Sequence, residues 1–201
     1  MGEEQTTQEA IMEATYRALC AHGYADLTTE SIAAEFEKSK SLIHYYYDTK
    51  EELLASFLDY LLDRFTTRVE ATAHEDPRER LSTFVDALLV TPGDEENRNF
   101  HTALLELRSQ APNNRAYREQ FATNDRLVRD LAAEIIEEGI EAGVYAPHDP
   151  VERADLLVAA LDGHRTRQVV LGEDGLSATE TEAFEDRLVQ TLLVDDEPGS
   201  D

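Results

Sequence analysis

Cysteine and lysine are both scarce in this chain. A single cysteine, Cys20, among 201 residues leaves no partner for an internal disulfide and no thiolate cluster for zinc. No apolar run approaches the roughly 18 residues that span a bilayer, and residues 1–10 lack the basic-then-apolar order of a signal peptide. A Gly-rich phosphate loop, a Gly-x-Ser-x-Gly elbow and a His-x-x-x-His pair are all missing. Neither an enzyme, a cofactor nor a metal is therefore expected. Sustained apolar–polar alternation is absent too, which leaves helical periodicity as the dominant pattern. With 41% hydrophobic residues the chain can fill a core. The expectation is an all-α, soluble, cytoplasmic protein.

Positive charge is also in short supply. Asp and Glu number 43 against 18 Lys and Arg, for a net charge of −25. Such an excess discourages contact with any polyanion. Only three of the cations are lysines, and Lys38, Lys40 and Lys50 all fall within thirteen residues. Counting Asp48, the stretch from Lys38 to Lys50 carries +2, a cationic island in an acidic chain. Abundant carboxylates with three Lys against fifteen Arg resemble the proteins of halophiles. At molar salt the Debye length is about 3 Å, so the acidic remainder would hardly be felt at a distance.

Capping patterns place the helices. Thr6-x-x-Glu9 and Asp48-x-x-Glu51 each precede an apolar stripe, and Ser177-x-x-Glu180 opens the last helix. Asp76-Pro77-Arg78-Glu79 and Asp149-Pro150-Val151-Glu152 pair an Asp cap with Pro at the first helical position. Gly23 suits the stop of the first helix. The longest stretch, about Asn114 to Gly143, carries Tyr117, Phe121, Leu127, Val128, Leu131, Ile135 and Ile140, interrupted by Asn124. Helices up to about Tyr47 are expected to be short and later ones longer. The tail 195–201 is acidic and expected to fray.

Residues 23–53 read as a short helix, a turn, a second short helix and the cap of a third. Thr28 or Thr29 caps the first, whose inward residues are Ile32, Ala33 and Phe36. In the second, from about Ser39 to Tyr45, Leu42, Ile43 and Tyr46 are available for packing. Lys40, Ser41, His44 and Tyr45 are then directed outward, a face suited to phosphates and base edges.

This stretch resembles the helix-turn-helix of the TetR family of transcriptional repressors through Gly23-Tyr24, Thr28, Ile32-Ala33, Ser39-Lys40, Ile43, Tyr46-Tyr47 and Lys50-Glu51-Glu52-Leu53. The resemblance implies a DNA-binding domain over 5–65, with the helix-turn-helix at about 28–47, and a helical effector-binding and dimerisation domain over 66–194. It further implies a homodimeric, ligand-responsive repressor on double-stranded operator DNA. Carried over by position, Thr28, Ser39, Lys40, Ser41, Leu42, His44, Tyr45, Tyr46 and Lys50 are the expected DNA contacts, with Lys50 facing a phosphate. Glu37 and Lys38 depart from the family pattern, in which a Gly and a small apolar residue usually stand. They keep a second reading open, an acidic helical interaction module that has lost operator binding.

An effector pocket follows from the resemblance alone. Polar residues that interrupt or follow apolar stripes, His101, Arg108, Asn124, His164, Arg165 and Gln168, are the candidates for lining it. Each competes with a plainer role as a satisfied buried group or a subunit contact. Helices at about 152–171 and 179–194 carry surplus apolar residues near the end of the chain, which suits a four-helix bundle about a two-fold axis. Cys20, beside Leu19 on the first helix, reads as core filler rather than a redox sensor.

Overall fold

Caps and a left-handed glycine mark where the helices start and stop. The computed structural model describes residues 2–36, 40–172 and 178–193. Its described residues form α1 Gly2–His22, α2 Thr29–Ala34, α3 Lys40–Tyr46, α4 Lys50–Glu70, α5 Pro77–Leu88, α6 Glu95–Gln110, α7 Arg115–Glu141, α8 Pro150–Leu171 and α9 Ala178–Leu193, with no strand among them. The all-helical expectation holds. α1 ends where Gly23 turns to φ +70° and its amide reaches the Leu19 carbonyl at 2.9 Å. Thr28 caps α2 in a reciprocal box: its hydroxyl accepts from the Ser31 amide at 3.0 Å and the Ser31 hydroxyl accepts from the Thr28 amide at 2.9 Å. Asp76 and Asp149 cap α5 and α8 with Pro at the first position, as their spacing predicts.

Four features differ from the sequence reading. α1 begins at Gly2, upstream of Thr6, and its 21 residues match α4 in length, so the N-terminal helices are not all short. α4 is capped by Thr49 rather than Asp48. The Thr49 hydroxyl accepts from the Glu52 amide at 3.1 Å, while the Glu52 carboxylate accepts from the Asp48 amide at 3.0 Å. The sequence pattern marks no helix where α6 lies; Asp94 caps it by accepting from the Asn97 amide. Leu127 is 47% exposed, because Val128, Leu131 and Ile135 take the inward positions of α7. The Ser177 cap, the Glu37–Lys38 turn and the 195–201 tail lie outside the described residues.

Contacts divide the chain into two units. The first comprises Met1–Arg64 and Gly93–Asn124. Its core joins Ile11, Ala14, Ala18 and Leu19 of α1 to Ile32, Ile43, Leu54, Phe57 and Leu58, and to Ala103, Leu107 and Tyr117 from α6 and α7. The second comprises Phe65–Pro92 and Asp125–Asp201, and buries Val69, Phe84, Val85, Ile135, Ile136, Leu157 and Leu161. Residues 93–124 group with the N-terminal segment because α6 and the start of α7 complete its core.

Candidate nucleic-acid interface

α3 is held by Ile43, which is buried, with Leu42 and Tyr46 half-buried beside it. At about 100° per residue, a helix that buries Ile43 turns Ser41 and Tyr45, two positions to either side, toward its opposite face. Ser41, His44 and Tyr45 are accordingly exposed, Tyr45 by 75%. The aromatic run braces itself: the Tyr45 ring meets Tyr46 edge-on at 5.2 Å, and Tyr46 leans on Tyr47 at 6.5 Å. Tyr47 is buried, and desolvation pushes its phenol above the usual range. Arg17 of α1 closes the other helix of the pair, donating to the Glu35 carbonyl at 2.7 Å beyond the end of α2. A guanidinium at a helix C-terminus matches the dipole there. Ser31 and Arg17 were not singled out from the sequence. The Thr28 box with Ser31 could have been found by admitting Ser at the third position.

The nine expected DNA contacts separate into four groups. Ser41, His44 and Tyr45 share the exposed face, with Thr28 exposed at the start of α2. Leu42 and Tyr46 are half-buried in the packing of α3. Ser39 and the side chain of Lys40 lie outside the described residues. Lys50, the last of the nine, reaches the α1–α2 turn. Its ammonium donates to the Leu27 carbonyl at 2.6 Å and the Tyr24 carbonyl at 3.2 Å, and it sits 4.6 Å from the Tyr24 ring centroid. Burial lowers its pKa. The carbonyls of the α1–α2 turn lack helical partners, so they draw the lysine inward.

The six candidate ligand residues are divided between the two units, three in each. His164, Arg165 and Gln168 lie together on α8 in the second unit. His164 is buried, stacks on Phe184 at 3.9 Å and lies 3.4 Å from the Thr181 hydroxyl. Arg165 pairs with Asp162, and Gln168 holds the backbone of Val90. His101, Arg108 and Asn124 belong to the first unit. There His101 is buried edge-on to Phe100, Arg108 is exposed, and the Asn124 amide donates to the Leu58 carbonyl at 2.9 Å while accepting from Gln120. Asn124 is thus a satisfied helix-to-helix link. Among the described residues no cluster of three metal-ligating side chains occurs, and no helix is long and apolar enough to cross a membrane.

Cys20 is half-buried, and desolvation raises its thiol to about 11, with the Tyr16 hydroxyl in hydrogen-bond contact. A raised pKa keeps the thiol protonated until pH approaches that value. At pH 8 alkylation by iodoacetamide is expected to run roughly 100-fold slower in the folded protein than in urea, and to climb about tenfold per pH unit. Equal rates in both states would contradict the core-filler role.

Two family models match the chain: bacterial regulatory proteins of the tetR family over residues 11–57, and the BetI-type transcriptional repressor C-terminal region over residues 77–194. A TetR transcription regulator from Haloarcula marismortui ATCC 43049 is 42% identical, with a TM-score of 0.77 over 94% of this chain and 99% of that one. A structure described as a transcriptional regulator from Saccharomonospora viridis in complex with choline is 25% identical, with a TM-score of 0.76 over 95% and 99%. The HTH-type transcriptional regulator BetI of Stenotrophomonas maltophilia (strain R551-3) is 30% identical over 88 residues, which is 42% of this chain and 45% of that relative. The chain thus spans less than half the length of that curated relative. With a capped α2, an outward-facing α3 and both halves matched, the chain belongs to the TetR family of regulatory proteins and carries a C-terminal region of the BetI-type repressor kind.

Proposed function

We propose that this chain is a DNA-binding transcriptional repressor, a cytoplasmic homodimer without catalytic activity that releases its operator when a small effector binds. The observation that carries this reading is the outer face of α3. Ser41, His44 and Tyr45 stand exposed there, and no carboxylate occurs from Lys40 to Tyr47 in a chain of net charge −25. That one face is cleared of repulsion while hydroxyl, imidazole and phenol groups project from it, as base-edge and phosphate contacts require. Lys40, Ser39 and Thr28 supply backbone contacts in this reading, and Lys50 only supports the turn.

A symmetric operator needs paired reading heads. α8 offers the means: Leu156, Val170 and Leu171 are 46%, 66% and 48% exposed, and a Cβ added at Gly163 meets nothing within 4 Å. An apolar strip with a small residue at its centre lets a second copy approach closely about a two-fold axis, with α9 beside it. The choline complex of the Saccharomonospora viridis regulator makes choline the first effector to try. The carboxylate-rich composition suits a salt-laden cytoplasm.

The test is selection of bound fragments from genomic DNA in molar KCl. A palindrome is expected. The His44→Ala, Tyr45→Ala double variant should then lose about 10- to 100-fold in affinity for it while binding random duplex as before. Absence of any preference over random competitor would defeat the repressor reading and favour the interaction module.

A further inference from the structure

α2 is too short to hold its own place. It has six residues and buries only Ile32 among them, and so short a helix is unstable in water without outside support. Leu27 and Phe36, in the core on either side, give part of that support. Two cations from the flanking helices give the rest. From α4, the Lys50 ammonium donates to the Leu27 carbonyl at 2.6 Å and the Tyr24 carbonyl at 3.2 Å, just ahead of the Thr28 cap. From α1, Arg17 Nη2 donates to the Glu35 carbonyl at 2.7 Å, one residue past Ala34. Arg17 Nε also lies 3.5 Å from the Glu35 carboxylate. Each anchor falls on carbonyls just outside α2, where a cation supplies a partner the helix does not. Residues 1–50 carry four Lys and Arg side chains, Arg17, Lys38, Lys40 and Lys50. Half of them are therefore committed to backbone carbonyls. All these groups belong to the first unit.

We propose that Arg17 and Lys50 are paired positioning residues for operator binding: they clamp α2 at its two ends, and the affinity they supply does not depend on salt. This rests on the repressor reading and says how that reading works in concentrated salt. Ile32 and Ile43 share one core, so the seat of α2 sets the pose of α3. With α2 released at either end, Ser41, His44 and Tyr45 lose their register with base edges, whose hydrogen bonds tolerate little displacement. A lysine on a phosphate gains mostly by releasing counterions, and that gain shrinks as salt rises. An ammonium held by two carbonyls beside the Tyr24 ring releases none, and its part-buried bonds are little screened. Arg17 is in the same position, because the Glu35 carboxylate already matches its charge. A chain of net charge −25 with three lysines has little to draw from counterion release, so geometry has to carry the affinity.

The test measures affinity of the full chain for the selected operator and for random duplex, over a series of KCl concentrations at which every variant is folded. Lys50→Met and Arg17→Met should each lose about tenfold on the operator at every concentration. The slope of log K against log[KCl] should match that of the parent, and random duplex should bind as before. Lys50→Gln still offers one amide donor and should lose less; it carries the test if the methionine variant folds poorly. A slope smaller by about 0.9 in Lys50→Met, with random duplex weakened in step, would make Lys50 a phosphate contact and overturn the clamp. Reduced unfolding free energy with unchanged operator affinity would overturn it too, leaving a purely structural role. Hydrogen exchange on the free protein in molar KCl gives a second readout. Either methionine variant should speed exchange on the order of tenfold across residues 29–36, with α1 and α4 unchanged. Unchanged exchange in 29–36, or a uniform rise in every segment, would overturn the clamp whether or not an operator is found. Failure to select an operator would instead remove the repressor reading, while exchange still decides whether α2 is clamped.

Discussion

Replacing Glu134 and Glu138 together by leucine is expected to lower the unfolding free energy by about 3–5 kcal/mol, a larger loss than Arg80→Met causes. Arg80 of α5 is 2% exposed, and its guanidinium forks onto two carboxylates one turn apart on α7: Nη2 reaches Glu134 at 2.9 Å and Nη1 pairs with Glu138. Burial works against the charged guanidinium, and the two carboxylates outweigh it, so the Arg80 pKa is raised. The exposures are lopsided, with the glutamate side chains 58% and 44% exposed. Once Arg80 is replaced by Met, the carboxylates turn to water, and the cost is the lost hydrogen bonds, about 1–2 kcal/mol. Once the carboxylates become leucines, the guanidinium keeps its dry site and loses its counter-charge. Alanines in place of the leucines should cost less, because they admit water. Urea unfolding in molar KCl checks the order, since a buried pair is little screened. A methionine variant less stable than the double leucine variant would refute it.

That triad also shows where sequence reading stops. Caps are local chemistry, so Asp76, Asp149, Thr28 and the Gly23 stop could be read from a few neighbouring residues, as could the outward set Ser41, His44 and Tyr45. Arg80 has no local feature that marks it as buried; its partners are 54 and 58 residues away. The contacts of Lys50 are equally non-local. Its place in the family pattern pointed to phosphate, but the carbonyls that capture it belong to the turn 23 and 26 residues earlier. α6 is hard to read from the sequence because Phe100, Ala103, Leu104 and Leu107 form a narrow stripe within a polar segment. Its assignment to the first unit depends on a core assembled from distant segments, which periodicity cannot express.

Gly139→Ala should destabilise the protein although it improves the helix. Inside α7, alanine is favoured over glycine by about 1 kcal/mol. A Cβ at this position, however, would stand 2.0 Å from Cδ2 and 2.2 Å from Cε2 of Tyr145. Tyr145 is 5% exposed and pinned: its hydroxyl donates to the Pro77 carbonyl at 3.1 Å, and its amide and that of Val144 both donate to the Gly139 carbonyl, at 3.1 and 2.8 Å. The ring cannot swing aside without releasing those bonds or opening the core beside Ile135 and Ile136. Overpacking should therefore exceed the propensity gain and leave a net loss of about 1–3 kcal/mol. The sign depends on the ring, which gives the experiment its discrimination. Tyr145→Ala alone should cost about 3–5 kcal/mol by emptying its site. In that background the obstruction is gone, so Gly139→Ala should turn neutral or stabilising by up to about 1 kcal/mol. A double-mutant cycle by urea unfolding reads both signs. If the alanine destabilises equally with and without the tyrosine, close approach of the ring is not why glycine stands there.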